Sequence, residues 1–96
     1  MNSKLRRKSI LEDAWLGDAV LALFARQRIL SSGQGIDNEK AIRMTSNKFL
    51  TILGDASEVE ARIGALYKEK GLDAAFSYIE TGIEPLFLKT ELKRKA

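Results

Sequence analysis

Two carboxylates, Asp18 and Glu60, have no local partner for their charge. Asp18 lies in Trp15-Leu16-Gly17-Asp18-Ala19-Val20-Leu21, with Ala14 and Ala22 four residues to either side and Leu11, Leu21 and Ala25 on adjoining turns. A carboxylate walled by small apolar side chains needs a cation, a hydrogen-bond donor or a metal. A backbone amide of a neighbouring segment, or an exposed helix edge, would meet the same need, and both readings stay open. Glu60 lies in Ser57-Glu58-Val59-Glu60-Ala61-Arg62-Ile63-Gly64-Ala65-Leu66-Tyr67. Gly64 follows it by one helical turn and shares its face, while Gly17 adjoins Asp18. Glycine leaves no side chain to hold two backbones apart. If helices carrying Gly17 and Gly64 cross at those residues, Asp18 and Glu60 converge. Two carboxylates in a cleft, with no histidine and no local lysine, suit a hard oxygen-preferring ion such as Mg²⁺, with Mn²⁺ as a substitute. Against this stands a local reading. Ser57-x-x-Glu60 fits a capping box, in which the glutamate bonds the cap residue's own amide, and Asp55-x-x-Glu58 offers a competing cap.

Composition narrows the chemistry. The 96 residues contain no cysteine and no histidine. Disulfides, thiolate metal sites and cysteine nucleophiles are excluded, and so are the usual general base and the commonest zinc ligand. Catalysis is left to carboxylates, lysines, hydroxyls or a hard metal ion. No apolar run approaches a membrane span, and the start lacks the long apolar region of a signal peptide, so a cytoplasmic protein is expected.

The net charge of +3 is unevenly spread. Lys4, Arg6, Arg7 and Lys8 cluster near the start, and Lys89, Lys93, Arg94 and Lys95 near the end, so the two ends hold eight of the sixteen basic residues. The stretch between carries eight basic and twelve acidic residues. Basic ends flanking an acidic body can hold phosphate backbones near a metal-binding centre. Charged termini that only keep a small protein soluble explain the same pattern. Lys4, Arg6, Arg7, Lys8, Lys48, Lys93, Arg94 and Lys95 form the candidate phosphate-contacting set.

The elements that would position these residues are all helical. Residues 1–8 show no periodicity and read as a basic flexible tail, and residues 9–96 as one domain of about five helices. Ser9, with Glu12 three residues on, makes a capping box for a first helix running to about residue 30. That helix is apolar nearly all round, which predicts a central position or a covering partner. A second helix follows Asp37 or Asn38, with a kink where Thr45, Ser46 and Asn47 lower helix propensity, and stops at Gly54. A third opens at residues 55–57 and runs to Lys70, with Gly71 as its C-terminal cap. A fourth runs from about Leu72 to Gly82, and Pro85 suits the first turn of a fifth. No window alternates with period two.

Four segments carry a family resemblance. Trp15-Leu16-Gly17-Asp18-Ala19-Val20-Leu21 resembles the signature helix of ribonuclease III, an aromatic-Leu-Gly-Asp-Ala-Val run. Glu60-Ala61-Arg62-Ile63-Gly64-Ala65-Leu66-Tyr67 is similar to the family's second helix, Thr45-Ser46-Asn47-Lys48-Phe49-Leu50 to its Val-Ser-Asn segment, and Gly71-Leu72-Asp73-Ala74-Ala75 to its Gly-Gly-Leu-x-x-Ala ending. They occur in the family's order and cover most of residues 11 to 80. The resemblance implies an all-α ribonuclease III-like endonuclease domain that dimerises and cleaves double-stranded or structured RNA with Mg²⁺. Asp18 and Glu60 fall on two of its metal-site carboxylates. Ala14 and Ser57 stand where the full motif has two further acids, which makes the chain more like the smaller Mini-ribonuclease III relatives. Arg62 replaces a usually apolar residue, and only nine residues separate Leu50 from Glu60, an interval that is longer in the family. The expected reaction is attack of a metal-activated water on a phosphodiester. The alternative is a dimer that keeps the fold and binds or organises RNA after losing its catalytic ligands. The expected homodimer interface is Leu11, Ala14 and Trp15.

Overall fold

The computed structural model describes residues 3–95, with side chains described for residues 6–94. Its longest element is α1, Ser3–Ser31. Lys4, Leu5, Arg6, Arg7 and Lys8 are good helix formers, so the helix begins at Ser3 and passes through Ser9 without a break. Ser9 therefore does not cap it, and the segment expected as a flexible tail is helical from its third residue.

After a loop, Asp37 accepts a hydrogen bond from the Lys40 amide at 3.0 Å and opens α2, Asn38–Thr45. The kink expected next is a full break. Ser46 takes an extended conformation, φ −73° and ψ 148°, and its hydroxyl accepts the Phe49 amide at 3.1 Å, which starts the one-turn α3, Asn47–Leu50. A serine side chain that bonds nearby backbone competes with helix continuation. The described residues thus form six helices where five were expected. Asp55 caps α4, Ala56–Lys70, by accepting the Glu58 amide at 3.0 Å. Gly71, at φ 95°, makes the left-handed turn that separates α4 from α5, Leu72–Gly82. Pro85 then sits in the first turn of α6, Glu84–Lys95. Among the described residues there is no strand.

Leu21, Leu50, Ile63, Ile79 and Ile83 are fully buried and mark the centre of the core. Two edge-to-face aromatic pairs flank it, Phe24 with Phe76 and Phe49 with Phe87, each at 5.3 Å between ring centroids. Two ion pairs hold α6 down: Arg28 to Glu84 at 2.7 Å from α1, and Arg43 to Glu91 at 2.9 Å from α2.

The first helix is not covered all round. Val20, Leu21, Phe24 and Ala25 are buried, yet Leu11 is 57% and Trp15 is 79% exposed. The other helices cover one side of α1 and leave an apolar strip on the other. Among the described residues, no helix is long and apolar enough to cross a membrane.

Candidate functional site

Gly17 and Gly64 meet where α1 crosses α4. A Cβ on Gly17 would collide with the backbone carbonyl oxygen of Glu60 and lie 3.0 Å from the Gly64 nitrogen. A Cβ on Gly64 would collide with the carbonyl oxygen of Asp13 and lie 3.0 Å from the Gly17 nitrogen. The chain ascends from Asp13 to Gly17 on one helix while its contacts descend from Gly64 to Glu60 on the other, so the two helices run antiparallel. Lys68, one turn beyond Gly64, adds an ion pair to Asp13 at 2.9 Å. The register of the crossing thus rests on two backbone-to-backbone contacts and one salt bridge.

This register brings Asp18 and Glu60 together. Asp18 is exposed and Glu60 half-buried. Burial, then a hydrogen bond to Asp18 and the charge of Asp18, raise the Glu60 carboxyl to about 7. The desolvation expected at Asp18 falls on Glu60 instead, because Asp18 sits at the edge of the buried face of α1. The capping-box reading of Glu60 does not hold. Asp55, not Ser57, caps α4, so the Glu60 side chain lies a full turn inside the helix and is released from capping. Among the described residues, neither Asp18 nor Glu60 forms an ion pair. Ala14, which is buried, and Ser57, which is exposed, carry no carboxylate, so neither position adds a third acid. Among the described residues no group of three or more aspartates or glutamates is placed to share a metal ion.

The basic candidates separate into two places. Arg7 and Lys8 line an open hollow with Leu11, Glu12 and Trp15, and Arg6 is exposed nearby on the same helix. Lys48, Lys93 and Arg94 line a groove of about 510 Å³ between the α2–α3 junction and α6. The side chains of Lys4 and Lys95 lie outside the described residues. Of the interface candidates, Leu11 and Trp15 are exposed, whereas Ala14 is 8% exposed within the single chain. Ala14 adjoins Asp13, whose carbonyl meets Gly64, so this part of α1 is covered by the chain itself.

Sequence reasoning passed over Asp13 and Lys68, which clamp the crossing. The signal was present: Asp13 precedes Gly17 by four residues and Lys68 follows Gly64 by four, which puts each charge on the glycine face of its helix. It also passed over Arg43 and Glu91, which lie 48 residues apart and carry no local signal. Compared with family models, with curated proteins and with solved structures, the chain has no match in any of the three.

Proposed function

We propose that this chain is a Mg²⁺-dependent endoribonuclease of the ribonuclease III type, working from the Asp18–Glu60 pair. The observation that carries this reading is the glycine crossing, which serves no capping role for Glu60 and sets two carboxylates side by side. The donor set fits the ion. Mg²⁺ is commonly held by one or two carboxylates together with water and substrate phosphates, and Asp18 and Glu60 are such a pair. Asp18 and Glu60 would hold the ion, which when bound supplies an activated water and neutralises charge on the phosphodiester.

The chain's own part is positioning. The Glu60 backbone is pressed against Gly17, the residue before Asp18, so the roots of the two side chains keep their spacing. Asp18 faces solvent, which leaves an approach for an RNA strand. Burial and Asp18 raise the Glu60 carboxyl to about 7, so near neutrality it is protonated part of the time, and it would have to give up that proton to hold the ion together with Asp18. No side-chain nucleophile is required, in keeping with the missing histidine and cysteine. We further propose that two copies pair through the exposed Leu11 and Trp15. Such a homodimer presents one Asp18–Glu60 site to each strand of double-stranded or structured RNA, with basic residues from both chains.

The test is incubation of the purified protein with double-stranded RNA and Mg²⁺. The wild type should cut, and Asp18→Asn and Glu60→Gln should not. Equal rates for wild type and Asp18→Asn remove the nuclease reading. A second reading rests on Ala14 and Ser57: with only two carboxylates at the crossing, the chain is a non-catalytic RNA-binding or scaffold dimer. RNA binding with no cleavage and no response to Mg²⁺ selects it.

A further inference from the structure

We propose that the groove between the α2–α3 junction and α6 is a docking site for the sugar-phosphate backbone of RNA, gripping it at a place that shares no residue with the Asp18–Glu60 crossing. The inference rests on the RNA reading above and adds to it a location, a chemistry and a mode of contact.

The groove is about 510 Å³, within the range of ligand clefts, and open on one side. Its charge is the first observation. Glu91, the one acid in its wall, makes a bidentate pair with Arg43, at 2.9 and 3.0 Å. That pair is locally neutral. Lys48 from α3 and Lys93 and Arg94 from α6 remain, all exposed, and none forms an ion pair among the described residues. Three cations without a salt bridge among the described residues, from two separate helices, therefore overlook one trough, with Arg94 near enough to Glu91 to help hold its carboxyl down. Lys48 stands 45 residues from Lys93 in the chain, so the fold and not the sequence assembles the patch.

The floor decides what kind of polyanion fits. Phe49 and Phe87 lie beneath the groove, but they are 6% and 3% exposed and stacked edge-to-face on each other. Neither offers a ring to an unpaired base, and single-strand binding sites depend on such platforms. Only Ile52, 58% exposed, gives an apolar foothold. A partner helix needs more, since protein interfaces draw their energy from well-buried aromatic or aliphatic anchors. A groove rimmed by three cations, with its two aromatic rings covered, is matched to a ligand whose affinity comes from phosphate charge, and contacts of that kind carry no base information.

The probe is a fluorescein-labelled RNA duplex, with binding followed by anisotropy across a salt series and EDTA present so that nothing is cut. Replacing Lys48, Lys93 and Arg94 together by glutamine should weaken binding about tenfold or more at moderate salt. It should also flatten the plot of log affinity against log salt by roughly 2 to 3, since each duplex phosphate contact contributes about 0.9. All three side chains are exposed, and a melting curve checks that the variant folds. Ile52→Glu keeps the three cations but places an acid among them, and should weaken binding as well. If both variants bind as wild type does, and the loss appears instead on changing Arg6, Arg7 and Lys8 to glutamine, the groove proposal is overturned. If the groove variant loses binding to poly-glutamate and not to RNA, the occupant is an acidic protein and the proposal is again overturned. Cleavage is scored separately. RNA binding that depends on the groove, in a protein that cuts no faster than Asp18→Asn, upholds the groove and removes the nuclease reading.

Discussion

Gly17 lies directly against the backbone carbonyl of Glu60, so the residue before one candidate ligand touches the residue that carries the other. Helix propensity alone would favour alanine at Gly17 and at Gly64 by about 1 kcal/mol each. The crossing reverses that sign, because a methyl group at either position meets rigid backbone. Gly17→Ala or Gly64→Ala should destabilise the fold by about 2–4 kcal/mol in chemical denaturation. Gly82→Ala is the control: its new methyl meets only Tyr78 Cε2, at 3.9 Å, and stability should hold or rise by up to about 1 kcal/mol.

The Glu60 carboxyl gives the ion-free protein a pH signature. Burial and Asp18 raise it from 4.5 to about 7, so the folded chain keeps a proton that the unfolded chain releases at lower pH. Stability should therefore fall as pH rises from about 4.5, with the loss complete just above 7. After allowance for water screening a partly exposed pair, the loss is about 1–2 kcal/mol. Thermal melts in EDTA across this range should show the decline in wild type and its absence in Glu60→Gln. A flat wild-type profile would show that the two carboxylates do not interact.

Magnesium should reverse that decline. A ligand bound only by the folded state raises the melting temperature. Millimolar Mg²⁺ at a pH just above 7 should therefore stabilise the wild type, and Asp18→Asn should abolish the response. Without Mg²⁺, Asp18→Asn should melt higher than wild type at that pH, since it removes one of the two facing charges. A wild-type melting temperature indifferent to Mg²⁺ counts against the site.

The Arg43–Glu91 pair should work in the opposite pH direction. The hydrogen bond from Arg43 holds the Glu91 carboxyl below the usual carboxylate range. Its contribution is present above the ordinary glutamate value and is lost as pH falls through the lowered one. Arg43→Ala leaves Glu91 part-buried without its hydrogen-bond partner, with only the more distant charges of Arg94 and Lys40, and should cost about 2 kcal/mol near neutrality while blunting the acid-side loss. A double-mutant cycle with Glu91→Gln isolates the pairing energy.

Trp15 reports on assembly, because it is the chain's single tryptophan and is 79% exposed in one copy. If two copies pair over it, its emission should shift to the blue as concentration rises. Light scattering should then give about twice the chain mass. Trp15→Ala should return the mass to that of one chain without lowering the melting temperature of the dilute protein. An emission maximum typical of exposed indole at every concentration would remove the Trp15 interface.

Much of this architecture is decided locally and could be read in order. Gly71 at a left-handed turn, Gly82 at the end of α5 and Pro85 in a first turn act through their own backbone geometry, so α4, α5 and α6 lie where the residues indicate. The pairing of Gly17 with Gly64 was legible too, because close helix approach demands a missing side chain and few positions supply one. Where several local signals competed, folding chose among them. Ser9 is overrun by a helix that begins at Ser3, Ser46 breaks a helix that could have bent, and Asp55 takes the cap that Ser57 could have filled. Each choice was separated by a few tenths to about 1 kcal/mol of local preference, which packing readily exceeds. Solvation was decided by tertiary structure alone. Burial falls on Glu60 and not on Asp18, Trp15 faces water, and Lys48 comes beside Lys93 and Arg94, because dielectric and proximity depend on what the rest of the chain lays over each residue.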